Sequence, residues 1–327
     1  MKTVKITDEI RTKRLDRFLI SYMNGCSRNF IYKLWRKKMI KVNRKKVDFK
    51  YQLQSGDEIQ IFISDELLNK NKVELQDVYD LSYYFLKILY EDDQIIAVYK
   101  PNGIIVHEDD KEKLWVLQNF IISYLIDKGE YNPKIHKFKP SPVHRIDRNT
   151  EGIVVFAKTF ESHHFISDLF KKHKMGKYYY ALVYGKITEK RELNYRIRKD
   201  EAKKQVFIDQ SGVRTSTEIF PVAWNENFSF VKIKLNTGKM HQIRISLAET
   251  GHPILGDDKY GEKQKNKESL RGFSIDGQML FSLELIFPEI DVSGFEKLSK
   301  LSIKECKPYN LIQILGKFGF KLPENQE

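Results

Sequence analysis

Apolar and polar residues alternate along the N-terminal part of the chain with two different periods. Residues 14–23 have apolar side chains every three or four positions, which predicts an amphipathic helix, and Ser27 is the predicted N-cap of a second one. Alternation at Ile40 and Val42 predicts a strand that ends in a turn at Asn43. A small mixed α/β domain is therefore expected at this end of the chain.

The remainder of the chain has mainly strand-like spacing. Residues 67–82 are polar and poor in apolar positions, and we interpret them as a linker. Two apolar runs, at 88–90 and 95–98, flank a polar turn and predict a β-hairpin. Further strands are predicted at 153–157, 178–183 and 228–235, and helices at 164–172 and 242–249.

These helices and strands do not alternate regularly, which argues against a doubly wound fold. We predict an α+β protein, in which a small N-terminal α/β domain precedes a larger domain. The larger domain is expected to have a largely antiparallel or mixed β-sheet flanked by helices and loops.

The charge is unevenly distributed. The chain has 57 Lys and Arg against 44 Asp and Glu, a net charge of +13, and residues 1–66 carry +8 of it. Such a basic excess suits a polyanionic partner, most often nucleic acid, although a solvated helix end and hairpin would look similar. The candidate phosphate-binding side chains in this segment are Arg28, Arg36, Lys37, Lys41 and Arg44.

Several classes of protein are disfavoured. Cys26 and Cys306 are too few and too far apart for a disulfide framework or a zinc site, and no metal site is expected. The N-terminus is too polar for a signal peptide, and no apolar run is long enough to cross a membrane. We therefore expect a cytoplasmic protein.

Two polar clusters could carry chemistry. The first is the segment 143–152, in which Asp147 lies between Arg145 and Arg148. Neighbouring guanidinium groups keep a carboxylate ionised, and an ionised, positioned aspartate can act as a nucleophile or base. The alternative is a surface aspartate in an ordinary turn.

The second cluster, residues 237–244, joins a strand to a helix that is predicted to begin near His241. Arg244 on its first turn could pair with a carboxylate, or could be solvated in a routine connection.

Short motifs in the first 66 residues resemble the small RNA-binding domain named after ribosomal protein S-four. They are Arg14-Leu15-Asp16, Ser27-Arg28, Ile40-Lys41-Val42-Asn43 and Ser55-Gly56-Asp57-Glu58-Ile59. Lys38 departs from that domain, which usually has glycine before the strand.

Residues 83–288 resemble the RluA-type family of pseudouridine synthases. Five motifs occur in the family's order: Lys100-Pro101 with Gly103-Ile104-Ile105-Val106-His107, then His144-Arg145-Ile146-Asp147, then Lys177-Tyr178-Tyr179-Tyr180-Ala181, then Thr237-Gly238-Lys239 with His241-Gln242-Ile243-Arg244, and finally Gln278-Met279-Leu280. Glu151, Met240 and Ser246 depart from the family pattern, and Glu151 adds a negative charge near Asp147.

The resemblance implies an isomerase that converts uridine to pseudouridine in structured RNA. Asp147 would be the catalytic carboxylate, Arg244 its partner, and Tyr179 the residue that stacks on uracil and takes part in proton removal. Arg145 would hold the RNA after the base flips out, and the other predicted RNA contacts are His144, Thr150, His241 and Gln242. Exchanging one glycosidic bond for another involves no redox change, so no cofactor is expected. Whether Asp147 forms a covalent adduct or draws a proton from the sugar is left open.

The predicted organisation is an S-four-like domain at 1–66, a linker at 67–82, a catalytic domain at 83–290 and an extension of unknown role at 291–327. The expected partner is RNA, specifically that of the large ribosomal subunit, with no membrane or DNA, and the expected state is a monomer. The alternatives are a transfer-RNA synthase of the same family and a non-catalytic ribosome-associated RNA-binding protein.

Overall fold

The computed structural model describes residues 2–6, 14–23, 28–49, 51–63, 86–109, 112, 115–200, 205–271 and 277–322. The predicted linker and Ser27 lie outside these residues. The chain divides into two compact units, one of residues 1–84 and 123–130 and one of residues 85–122 and 131–327. The predicted domain boundaries stay a prediction.

The first unit contains a three-stranded antiparallel sheet and two helices. The elements are β1 (Lys2–Lys5), α1 (Leu15–Tyr22), α2 (Arg28–Arg36), β2 (Ile40–Val42) and β3 (Glu58–Ile61), and the strand order is β1-β3-β2. The apolar faces of the helices and strands meet in one core that includes Leu19, Ile31 and Ile59. Both helices and the strand at Ile40 are confirmed.

Lys38 occupies the left-handed region with a φ of 58°. A lysine there accepts the backbone conformation for which glycine is the usual residue. The departure at Lys38 therefore keeps the turn into β2 that the resemblance implies.

The second unit is built on one large sheet. Its elements are β4 (Lys87–Glu91), β5 (Ile95–Lys100), α3 (Leu117–Asp127, whose last residues belong to the first unit), β6 (Ser141–Pro142), β7 (Glu151–Ala157), α4 (Phe160–Lys171), β8 (Gly176–Tyr184), β9 (Arg191–Asp200), β10 (Gln205–Ile208), β11 (Val213–Trp224), β12 (Phe228–Leu235), α5 (Gln242–Glu249), α6 (Lys263–Ser269), β13 (Leu280–Ile286), β14 (Ser302–Lys304) and α7 (Tyr309–Lys317). The strand order is β10-β9-β11-β12-β8-β13-β7-β5-β4, with β14 on β13 and β6 on β7.

The predicted α+β class with a mixed sheet is confirmed, since β13 and β7 pair in parallel and the other pairs are antiparallel. The predicted hairpin, strands and helices of this unit are all present, with boundaries that differ by up to four residues. Every residue of β7 is buried, which is typical of a central strand covered on both faces. Among the described residues, no helix is long and apolar enough to cross a membrane.

A row of residues crosses four central strands at one end of the sheet. Tyr179 on β8 pairs with Ser282 on β13, Ser282 with Gly152 on β7, and Gly152 with Lys100 on β5. Residues directly opposite one another point to the same face of a sheet. Tyr179 and Lys100 therefore point to one face, with the side-chain-free Gly152 between them.

Gly152 is the one position in this row where a side chain cannot fit. Its φ is 136°, and a Cβ atom would lie 2.2 Å from the carbonyl oxygen of Ser282. We expect Gly152→Ala to lower the free energy of unfolding by about 3 kcal/mol or more, because it combines backbone strain with a clash against a neighbouring strand. Thermal and denaturant unfolding measure this.

Gly316→Ala is the matched control, because a Cβ atom at Gly316 meets nothing within 4 Å. This residue lies inside α7, where alanine is the better helix former, so unfolding should be unchanged or slightly delayed. A Gly152→Ala protein as stable as wild type would show that β7 and β13 can move apart.

Candidate active site

The segment that contains Asp147 is fastened at several points between β6 and β7. The amide of Thr150 donates to the carbonyl of Asp147 at 3.1 Å, closing a turn. The hydroxyl of buried Thr150 accepts from the Gln278 side chain at 3.1 Å. Because its backbone is held by neighbouring elements, the Asp147 carboxylate has a defined position.

Lys100 also fastens this segment. Its side chain is fully buried, and its ammonium donates to the carbonyl oxygens of Pro101 at 2.9 Å, Ile104 at 2.8 Å and Arg148 at 2.9 Å. Three acceptors match the three N–H groups of a protonated lysine. Burial lowers the pKa of Lys100 to about 7, against the opposing effect of the Glu151 and Asp147 carboxylates.

Arg244 lies on the first turn of α5 and contacts two carboxylates. Its Nε and Nη2 donate to Asp257 at 2.7 and 2.8 Å, and its Nη1 donates to Asp147 at 3.0 Å. Asp257 is 1% exposed and also accepts from the backbone amides of Lys259 and Tyr260. Burial would lower the pKa of Arg244, but its bonds to Asp257 and the charge of both aspartates outweigh burial and raise it.

His241 begins this helix in the left-handed conformation, with a φ of 52°. Its Nδ1 lies 2.8 Å from the Tyr260 hydroxyl, which already accepts from the Val206 amide, and its Nε2 lies 3.7 Å from Asp147. Burial lowers the pKa of His241 to about 4, so the ring is neutral at pH 7. A hydroxyl that donates to Nδ1 leaves the Nε2 proton facing Asp147.

Tyr179 lies close enough to Asp147 for the charge of that carboxylate to act on its hydroxyl. It is 8% exposed and shares a hydrogen bond with Ser282. Burial raises the pKa of Tyr179 to about 12; the Ser282 bond opposes this, and the charge of Asp147 adds to it. The Tyr179 hydroxyl therefore keeps its proton at neutral pH, and the side chain is uncharged.

The other predicted contacts divide into two groups. Arg145 is exposed, and its predicted RNA contact stays a prediction. Gln242, by contrast, is 2% exposed, and both ends of its amide are used within the protein: it accepts from Thr237 and Lys239 and donates to Ser216 and Thr217. Gln242 is therefore not the RNA contact that was predicted, because its buried amide holds the 237–241 loop.

His144 also points inward. Its ring stacks on Phe170 with centroids 4.4 Å apart, and its Nε2 accepts from the Val155 amide at 3.1 Å. Burial lowers the pKa of His144 to about 3, so the ring stays neutral. This geometry makes His144 an anchor between the 143–150 segment and β7; the residue is only partly buried, and its predicted RNA contact stays a prediction. Thr150, whose hydroxyl bonds to Gln278, is likewise a loop anchor.

In the first unit, Arg36, Lys37 and Arg44 are exposed, and the Lys41 ammonium lies 5.2 Å from the centre of the Phe62 ring. Arg44 and Asn43 form the turn after β2, with positive φ angles. The backbone of Arg28 begins α2, but its side chain lies outside what the structure describes. Across the described part of the chain, no three His, Cys, Asp or Glu side chains are grouped as a metal site.

A family model described as RNA pseudouridylate synthase matches residues 94–249. An RNA pseudouridine synthase of Mycoplasma capricolum is 32% identical over 270 residues, which cover 80% of this chain and 85% of that protein. The chain belongs to the RNA pseudouridine synthase family.

Other relatives agree with this membership. The ribosomal large subunit pseudouridine synthase C of Escherichia coli is 30% identical, covering 82% of both chains. Human RNA pseudouridylate synthase domain containing 4 has the same fold, with a TM-score of 0.57 and 20% identity over 73% of this chain and 95% of that one. Membership in this family makes the chain an RNA isomerase, as the motifs predicted.

Sequence reasoning missed two residues of the site. Asp257 and Lys100 both lie within segments that resemble the family, but their spacing does not reveal that one orients Arg244 and the other fastens the loop. Two signals could have identified them. Asp257 is a carboxylate that follows the helix containing Arg244, and Lys100 is a charged residue at the end of an apolar strand.

The shared guanidinium generates a prediction. Arg244→Lys keeps the positive charge, but one ammonium cannot bind Asp257 through two bonds and reach Asp147 as well. We expect kcat to fall roughly 100-fold with a smaller change in KM for RNA. Tritium release from uracil-labelled RNA measures both constants.

Arg198→Lys is the matched control, because Arg198 is an exposed arginine that pairs with Asp209 at 3.2 Å. It should leave kcat unchanged. A wild-type kcat in Arg244→Lys would mean that the two-carboxylate arrangement is unnecessary for turnover.

Proposed function

We propose that this protein isomerises uridines in structured RNA with Asp147 as the catalytic carboxylate, and that its substrate is large-subunit ribosomal RNA. The observation that carries the proposal is the 3.0 Å ion pair between Asp147 and Arg244, residues 97 apart in sequence, beside the Tyr179 ring. A positioned anion, its cationic partner and an aromatic surface suit a reaction in which uracil departs and reattaches.

The roles follow from charge and exposure. The Asp147 side chain is 29% exposed, so substrate can reach it. The Arg244 side chain is 9% exposed and is held in place by its bonds to Asp257. Asp147 assists cleavage of the glycosidic bond, and Arg244 pairs with its carboxylate and orients it. Tyr179 stacks on the uracil that has left the RNA helix, which offsets part of the few kcal/mol that base flipping costs.

The ribosomal target rests on similarity. The Escherichia coli relative is named as a large-subunit synthase. Three exposed basic residues of the first unit, Arg36, Lys37 and Arg44, here called the basic surface, suit a large structured RNA. The transfer-RNA alternative predicts the same chemistry on another substrate.

Asp147→Asn tests the chemistry. The change keeps the size and polarity of the side chain but removes its charge, so we expect turnover to vanish while RNA affinity stays within about tenfold. Pseudouridine mapping of ribosomal and transfer RNA, with and without the protein, identifies the substrate. Asp168→Asn is the control, because Asp168 pairs with Lys172 on the surface of α4.

Turnover by Asp147→Asn at the wild-type rate would refute the role of Asp147. If mapping shows lost sites in transfer RNA alone, the transfer-RNA alternative replaces the ribosomal one. If no site is lost in either RNA, the ribosomal proposal is refuted and the substrate is another RNA.

The basic surface has its own test. Neutralising Arg36, Lys37 and Arg44 with glutamine should reduce the slope of log affinity against log salt by roughly two to three, because each phosphate contact contributes a little under one. RNA titrations at several salt concentrations measure the slope.

A control with the same net charge separates the local array from total charge. Lys186, Lys297 and Lys300 are exposed in the second unit, and replacing them with glutamine removes three charges elsewhere. Equal slopes for the two triple variants would show that the basic surface is not a specific RNA contact.

A further inference from the structure

Glu151 is a buried carboxylate on the strand that follows Asp147. It is 5% exposed and begins β7, four residues after Asp147. Its two oxygens accept from the Tyr99 hydroxyl at 3.1 Å and from the Asn310 side-chain amide at 2.7 Å. A buried charge of this kind is costly unless donors hold it, so these two bonds are required.

The carboxylate lies on the opposite face of the sheet from the candidate site. Lys100 and Tyr179 share a face with Gly152, and adjacent residues of a strand point to opposite faces. Glu151 therefore points to the face behind Asp147, where Asn310 reaches it. The charge that departs from the family pattern is not beside the Asp147 carboxylate.

Asn310 belongs to α7, in the C-terminal extension that lies outside the matched family segment 94–249. This helix buries Leu311, Ile314 and Leu315. At its other end the Lys317 ammonium donates to the carbonyl oxygens of Ser269 and Arg271. The extension is thus an integrated part of the second unit, and Asn310 is its polar contact with Glu151.

We propose that Asn310 is a positioning residue for the active site. It fixes the Glu151 carboxylate and, through it, the start of β7 and the preceding loop, which contains Asp147. This inference rests on the proposed role of Asp147. Glu151 is covalently linked to the loop through Thr150, so a displaced carboxylate moves the loop. The extension would then contribute to turnover without touching the RNA.

A second link is electrostatic. Glu151 is the leading carboxylate that favours the charged form of Lys100, with Asp147 acting in the same sense and Arg148 opposing both. The Lys100 ammonium in turn holds the Arg148 carbonyl, next to Asp147. On the opposite face, burial raises the pKa of the Tyr99 hydroxyl, and the charge of Glu305, which pairs with Lys87, adds to this effect.

Asn310→Ala is the first test. It leaves a buried carboxylate with one donor, so we expect kcat to fall about tenfold with KM for RNA unchanged. Lys317→Ala is the matched control, because it removes an anchor of the same helix without touching Glu151, and it should leave kcat unchanged. Equal losses in both variants would mean that helix packing matters and the Asn310 contact does not.

The double variant Asn310→Ala with Glu151→Ser is the second test. Removing the carboxylate removes the need for its donor, so kcat measured at a pH below the alkaline limb should recover to within about threefold of wild type, a strong departure from additivity. Strictly additive losses would overturn the proposal, and so would an unchanged kcat in Asn310→Ala.

The pH profile provides a readout that packing alone would not change. Glu151→Gln keeps the shape but removes the charge that supports protonated Lys100, so the alkaline limb of kcat should move roughly one unit to lower pH. Asn310→Ala retains the charge and should not move the limb. An unmoved limb in Glu151→Gln would refute the electrostatic link, even where a variant is too unstable for the first test.

Asp147→Asn is assayed alongside. An active Asp147→Asn enzyme refutes the proposed function, whereas a dead Asp147→Asn enzyme with a fully active Asn310→Ala enzyme refutes only the positioning role.

Discussion

The Arg244 guanidinium is buried, and a buried cation needs anionic partners that use its hydrogen bonds. Asp257 accepts two hydrogen bonds from the guanidinium and is itself held by backbone amides. The remaining donor, Nη1, is then directed at Asp147. The position of the Asp147 carboxylate thus depends on a carboxylate 13 residues beyond Arg244 in the chain. A guanidinium suits this arrangement because its donors are planar and fixed in direction.

The rest of the site is arranged around that shared cation. Gln242 holds the loop that leads into α5, and the left-handed His241 turns the chain so that Arg244 faces inward. Lys100 fastens the Arg148 carbonyl from the other side. Motif residues therefore differ in exposure: the side chains of Asp147 and Arg145 are accessible to solvent, whereas those of Lys100 and Gln242 are buried and bonded within the protein.

The two faces of the central sheet have different roles. One face carries the row from Tyr179 to Lys100, with Gly152 leaving room between them. The opposite face carries Glu151, whose charge is supported by Tyr99 and by a helix near the end of the chain. A single hydrogen bond, from Asn310 to Glu151, thereby connects the C-terminal extension to a residue that departs from the family pattern.

Local pattern was enough to determine the α+β class, the central strands and the helix that carries Arg244, because hydrophobic periodicity depends on neighbouring residues. Motif order was enough to identify the family. The sequence did not reveal strands β9 to β11: β9 is rich in charged residues, which blurs its alternation, and β10 has only four residues. Nor could it show that His144 and Gln242 bond within the protein, or pair Asp257 with Arg244 and Asn310 with Glu151. Those pairings depend on distances between segments far apart in the chain, and only the folded sheet brings the segments together.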